Sequence, residues 1–85
     1  MTRIDAWVWS VRLYRTRSAA AAACRAGHVK LNDQTVKPAQ AVAVGDTVRA
    51  WVNHREHIYE VTGLIAKRGS AAQARQNYVD HSPPP

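Results

Sequence analysis

The chain has one cysteine, a single acid between Arg3 and Lys30, and no apolar run near the roughly 18 residues that cross a membrane. One cysteine cannot close an internal disulfide, which excludes a disulfide-stapled secreted fold. A secretory leader is not expected either, because Arg3 and Asp5 stand where its apolar segment would begin. Together these absences point to the cytoplasm. There is no Gly-rich phosphate loop, no pair of carboxylates spaced for acid–base work and no internal repeat. Eighty-five residues make one domain with one small core, without room for a separate catalytic domain.

What is present is positive charge, unevenly placed. The net charge is +6, and residues 1–37 carry seven basic against two acidic groups, or +5, whereas residues 38–85 carry five against four, or +1. Between Arg3 and Lys30, six Lys/Arg (Arg3, Arg12, Arg15, Arg17, Arg25, Lys30) face only Asp5. A local excess of this kind points to nucleic acid or an anionic membrane rather than to general solubility.

The pattern predicts two helices, then strands, then a short helix. Thr2-Arg3-Ile4-Asp5 has the form of a capping box, and Ile4, Trp7, Val8 and Val11 make an apolar stripe, so a first helix is expected over 3–13 with Thr2 as N-cap. Thr16 is the expected N-cap of a second helix, Ala19 to Ala23 its body and Gly27 its C′ residue, with Ala20, Ala23 and Cys24 facing inward. His28 to Leu31 alternates as a strand, Asn32-Asp33 is a two-residue turn, and Gln34 to Val36 returns until Pro38. Gly45-Asp46 is a second turn and Thr47 to Val52 a strand; Asn53 to Glu56 reads as a polar connection and 57–65 as another strand. Ser70 is placed to cap a short helix over 71–79. The fold class is therefore α+β, a domain over 1–80 followed by a disordered Pro-rich tail over 81–85.

The charged residues make one surface on this scheme. Arg15, Thr16 and Arg17 cluster at the start of the second helix, where a phosphate would meet backbone N–H groups, a hydroxyl and two guanidiniums. Arginines there oppose the helix dipole, so a polyanion explains them better than stability does. Arg12 and Arg3 extend the patch, and Lys30, Asn32 and Lys37 carry it onto the hairpin. The alanine-rich second helix lacks the bulky apolar face that a membrane surface would require. Trp7 belongs to the core. Trp9 lies about 200° further round, where it either stacks on a base or ribose near Arg12 or covers a satellite cluster. Cys24 reads as core rather than nucleophile, and His54 with His57 lacks the Cys or acid ligands of a metal set. No catalytic residue, metal or cofactor is expected.

Arg3-Ile4-Asp5-x-x-Val8, Thr16-Arg17-x-x-Ala20, Gly27-x-Val29-x-Leu31-Asn32, Lys37-Pro38 and Gly45-Asp46, in this order and spacing, resemble the S4 RNA-binding domain. Trp7-x-Trp9 with Arg12-x-Tyr14-Arg15-Thr16-Arg17 resembles its heat-shock protein 15 branch. The likeness covers residues 3–65. It implies an S4-like fold (the αL motif), with two N-terminal helices packed on a small, mainly antiparallel sheet. It also implies a non-catalytic protein that binds RNA through the helices and hairpin; a monomer is expected. The RNA-facing pattern falls on Arg3, Arg12, Arg15, Thr16, Arg17, Lys30, Asn32 and Lys37. The implied partner is ribosomal RNA of the large subunit, and tRNA with it, in recycling or quality control of stalled nascent-chain–tRNA subunits. A structured-RNA or tRNA chaperone and a protein-interaction module are the alternatives. Asp33 replaces the glycine usual in the turn, alanines and Cys24 replace larger helix-two residues, and the family's basic C-terminal extension is not matched.

Overall fold

The computed structural model describes residues 2–65 and 67–84. Its elements are β1 (Thr2–Arg3), α1 (Ile4–Ser10), α2 (Arg17–Arg25), β2 (Val29–Leu31), β3 (Gln34–Thr35), β4 (Ala41–Val42), β5 (Thr47–Val52), β6 (Arg55–Val61), α3 (Ala71–Arg75) and β7 (Tyr78–Asp80). One sheet runs β3-β2-β5-β6-β7 and a two-strand ribbon pairs β1 with β4, every pair antiparallel. This is the α+β arrangement expected: two N-terminal helices against an antiparallel sheet and a short third helix.

The core lies between the helices and the inner face of the sheet. The stripe Ile4, Trp7, Val8, Val11 is buried throughout, and it meets Ala20 and Cys24 of α2 and Val29, Leu31, Val48 and Ala50 of the sheet. Small side chains on the inner face of α2 leave room for α1. Trp7 is fully buried, and its indole N–H donates to the Gly63 carbonyl at 2.9 Å, tying α1 to the segment after β6.

The first helix starts and stops differently from the expectation. Thr2 is not its N-cap: Thr2 and Arg3 pair with Val42 and Ala41 as a strand, and Arg3 occupies the cap position without a side-chain cap bond. The first free N–H groups, of Ile4 and Asp5, donate to the carbonyls of Gln40 and Pro38 at 2.8 and 3.2 Å. The loop after the hairpin thus caps the helix. At the other end α1 stops at Ser10 rather than 13. The Leu13 N–H reaches back to the Val8 carbonyl and the Arg12 N–H to the Trp9 carbonyl, both at 3.0 Å, with Arg12 at φ 69°. That is a Schellman motif, closed by the buried pair Leu13 and Val8, with arginine where glycine is usual. The second helix ends in the same motif, with the expected Gly27 at φ 80°.

Asn32 and Asp33 are both at positive φ, 51° and 66°, as the turn requires. Asn53 and His54, at 51° and 62°, form a second such turn, so β6 begins at Arg55 rather than 57 and ends at Val61. The third helix is shorter than expected and leads into β7, an unexpected edge strand. Ser70 makes a full capping box with Gln73. Past β7, the His81 N–H donates to the Ile58 carbonyl at 2.7 Å and the Ser82 hydroxyl accepts from the Ile58 N–H at 2.9 Å. These bonds cross the boundary at which the tail was expected to begin.

Two stability experiments follow from these features. At Arg12, where φ is positive, glycine should be more stable than alanine by about 1 kcal/mol, the reverse of their order inside a helix. Denaturant titration of Arg12→Gly against Arg12→Ala measures it. Burial pushes the Cys24 thiol up to about 11 and the Tyr14 hydroxyl up to about 12. Both folded values exceed the unfolded ones, so the contribution is complete below about pH 9 and is lost as pH rises through the folded values. The melting temperature should therefore fall above about pH 9, and Cys24→Ala should remove the lower part of that fall.

Candidate nucleic-acid interface

The second helix opens the interface. Thr16 is extended, and its hydroxyl accepts the Ala19 N–H at 3.0 Å, while its carbonyl accepts the Ala20 N–H. The N–H groups of Arg17 and Ser18, two exposed residues, are the two left over at this end, without an acceptor among the described residues. Arg15 and Arg17 flank Thr16, both exposed.

Beside them stands the one acid of the basic run. Asp5 is only 3 % exposed. Its carboxylate accepts the Arg3 guanidinium in a fork, Nε to Oδ1 at 3.1 Å and Nη2 to Oδ2 at 2.9 Å. The Arg17 Nη2 lies 3.6 Å from Oδ1. Asp5 is not part of a capping box; it is the hub that brings together a residue before α1 and the first residue of α2. Both arginine side chains stay about half exposed, so each has an open side. Lys37 is exposed and directly precedes Pro38, whose carbonyl accepts the Asp5 N–H. Arg3, Thr16, Arg17 and Lys37 therefore converge at one end of the helix pair.

The other expected residues are placed elsewhere. The guanidinium of Arg12 donates to the Gly69 carbonyl at 3.0 Å, and Arg68 donates to the Trp9 carbonyl at 3.3 Å. Trp9 is half-buried against the core. These two residues belong with the loop after β6, not with the start of α2. Asn32 uses its side chain inside the protein: Oδ1 accepts the Thr47 N–H at 2.9 Å and Nδ2 donates to Asp46 at 3.2 Å. It joins the hairpin turn to β5. Lys30 is exposed between buried Val29 and Leu31, on the outer face of the sheet.

Arg49 and Trp51 are surface residues outside the expected interface, and Trp51, expected to be structural on its strand, is exposed instead. Alternation with buried Val48 and Ala50 turns both outward, and the register puts Arg49 directly beside Lys30. The alternation was legible, but the pairing of β2 with β5 was not. Cys24 is in the core, as expected, with its thiol disfavoured from ionising by burial. Among the described residues no cluster of His, Cys, Asp and Glu has the makings of a metal site, and no helix is long and apolar enough to cross a membrane.

The sequence model of the S4 domain matches residues 2–48. The heat shock protein 15 homolog of Aeromonas salmonicida is 37% identical over 78 residues, which are 92% of this chain and 59% of that protein. The homolog of Haemophilus influenzae is 33% identical over 92% of this chain, and heat shock protein 15 of Escherichia coli K12 is 30% identical. The chain thus spans about three-fifths of the length of these relatives. The solved structure of Vibrio cholerae heat shock protein 15, described as trimeric, superposes with a TM-score of 0.90 at 32% identity, over 93% of this chain and 80% of that one.

The hub gives a direct test. Asp5→Asn removes the charge that both arginines share, and should cost about 1.5–3 kcal/mol, the value of hydrogen bonds to a charged group. Chemical denaturation measures the loss. A loss below about 0.5 kcal/mol would show that the helices are oriented without it.

Proposed function

We propose that this chain, which belongs to the S4 domain family and resembles its heat shock protein 15 members, is a non-catalytic cytoplasmic protein that binds structured RNA, with ribosomal RNA of the large subunit as its ligand. One observation carries the proposal. A helix N-terminus with two unpaired N–H groups is ringed by Arg3, Arg15 and Arg17, two of them held by a buried carboxylate and open on the other side. That arrangement suits a phosphate: backbone N–H groups and the positive dipole end take the anion, and guanidinium forks take its oxygens. Stability alone would not place arginines there.

Affinity then comes mainly from phosphates, and selectivity from the shape of a folded RNA. Arg15, Lys30 and Lys37 supply net charge, while Arg3 and Arg17 supply direction. The resemblance to heat shock protein 15 supports a ribosomal partner, in the rescue of stalled nascent-chain–tRNA subunits. A further partner surface in the part of those relatives that this chain does not span is compatible with that role.

Arg15→Ala and Lys30→Ala should each weaken binding to a structured RNA and leave the fold unchanged. Each should also flatten the log–log salt dependence by about 0.7 to 0.9 for every phosphate that is no longer neutralised. Titrations at several salt concentrations give the slopes; unchanged affinity and slope in both variants would overturn the interface. Sedimentation of the tagged protein through sucrose gradients tests the ribosomal ligand. Co-migration with large subunits is expected; retained RNA affinity without co-migration would favour a general RNA chaperone.

A further inference from the structure

The outer face of the sheet carries a feature that phosphate binding at α2 does not use. A concavity of about 250 Å³ lies there, lined by Gly27, His28, Lys30, Arg49, Trp51 and Glu56. Trp51 is 47 % exposed, an unusual position for so large an apolar ring. Its backbone is fixed on both sides: its N–H donates to the His28 carbonyl at 2.8 Å, and its carbonyl accepts the Tyr14 hydroxyl at 3.3 Å. The ring is thus presented by a rigid central strand, two residues along the same face from Arg49, which pairs with Lys30, and across from Glu56.

Arg49 is incompletely satisfied. Its two Nη atoms lie 3.3 Å from Asp33 and 3.8 Å from Glu56, both long for charged hydrogen bonds, and its Nε–H is buried without an acceptor among the described residues. The cavity is below the size that engulfs a cofactor. It suits one flat ring laid on the indole, with the cations Lys30 and Arg49 and the Glu56 carboxylate around it.

We propose that this face captures one unpaired nucleotide of the bound RNA: the base stacks on Trp51, Lys30 and Arg49 hold the adjacent phosphates, and Glu56 accepts from an amino group on the base edge. The proposal rests on the RNA-binding reading above and names what in the RNA is read beyond its backbone. Lys30 belongs to both surfaces, and Tyr14 bridges the segment carrying Arg15 to Trp51 itself, so an RNA lying across the hairpin passes the pocket. Stacking tolerates any base; the Glu56 acceptor favours one bearing an amino group, such as cytosine or adenine.

Two synthetic RNA hairpins that differ only in a single bulged adenosine test this, titrated at one salt concentration against the wild type, Trp51→Ala and Trp51→Phe. The wild type should prefer the bulged hairpin by about 5- to 150-fold, the range that one stacked base spans. Trp51→Ala should abolish the preference while leaving affinity for the fully paired hairpin unchanged, and Trp51→Phe, which keeps a ring, should retain part of it. A wild type that binds both hairpins equally overturns the pocket, as does a Trp51→Ala variant that loses affinity for both alike. Conversion of an oligomer to a monomer by Trp51→Ala, with RNA affinity intact, would assign the face to a contact between copies and also overturn it. Failure of the wild type to bind either hairpin would instead overturn the RNA-binding reading itself, and is distinguishable because no variant is needed to see it.

Discussion

The arrangement of the helices depends on one buried carboxylate. Seven and nine residues are too few for either α1 or α2 to persist alone in water, where about 12–15 residues are marginal. Their orientation must come from tertiary contacts. Apolar packing supplies most of the stability, but alanine and valine surfaces slide easily and specify direction poorly. Asp5 adds direction. It sits in the first turn of α1, where its charge is favourable to the dipole, and binds the residue before its own helix and the first residue of the next. One anion thereby offsets the repulsion between two arginines and fixes the angle at which the α2 N-terminus is presented.

The same economy appears in how the helices end. Both close in Schellman motifs, one on Gly27 and one on Arg12. A glycine would relieve the backbone at position 12 but could not reach the Gly69 carbonyl. The strained arginine turns the chain and also anchors the loop that follows β6. Asn32 has a comparable double duty, since it adopts the left-handed turn and cross-links that turn to Asp46 and Thr47. Residues that look like surface chemistry in a linear reading are here partly joints.

Local signals are therefore legible in the sequence and long-range ones are not. Thr16, Gly27 and Ser70 act through bonds to residues a few positions away, Asn32-Asp33 and Gly45 through their own positive-φ backbone, and each stands where propensity puts it. Thr2 fails as a cap because Ala41 and Val42 pair with the chain there, and no local pattern announces a two-residue strand. Asp5 misleads for the same reason: at the third position after a threonine it has the form of a capping box, and only the fold brings Arg17 to it. The end of α1 is hidden because arginine occupies glycine's place. The outward turn of Arg49 and Trp51 follows from alternation, but their meeting with Lys30 needs the β2–β5 register.

That division explains why charge counting and geometry group the expected residues differently. Residue type and spacing assign nine residues to one surface. The structure commits Asn32 to the hairpin and Arg12 to Gly69, and half-buries Trp9. Arg3 and Arg17 share their charge with Asp5, so they add less to the long-range field than two free cations would. What they gain is order: a guanidinium already held on one side loses less freedom when its other side meets a phosphate. Free cations and held ones then do different things. On the proposed interface, Arg15, Lys30 and Lys37 would draw a polyanion in from a distance, and the pair on Asp5 would set the register in which it docks. A surface built only from the first kind would bind any RNA. On the proposed interface it is the second kind, created by the single acid in the basic run, that would allow a folded RNA to be told from an arbitrary one.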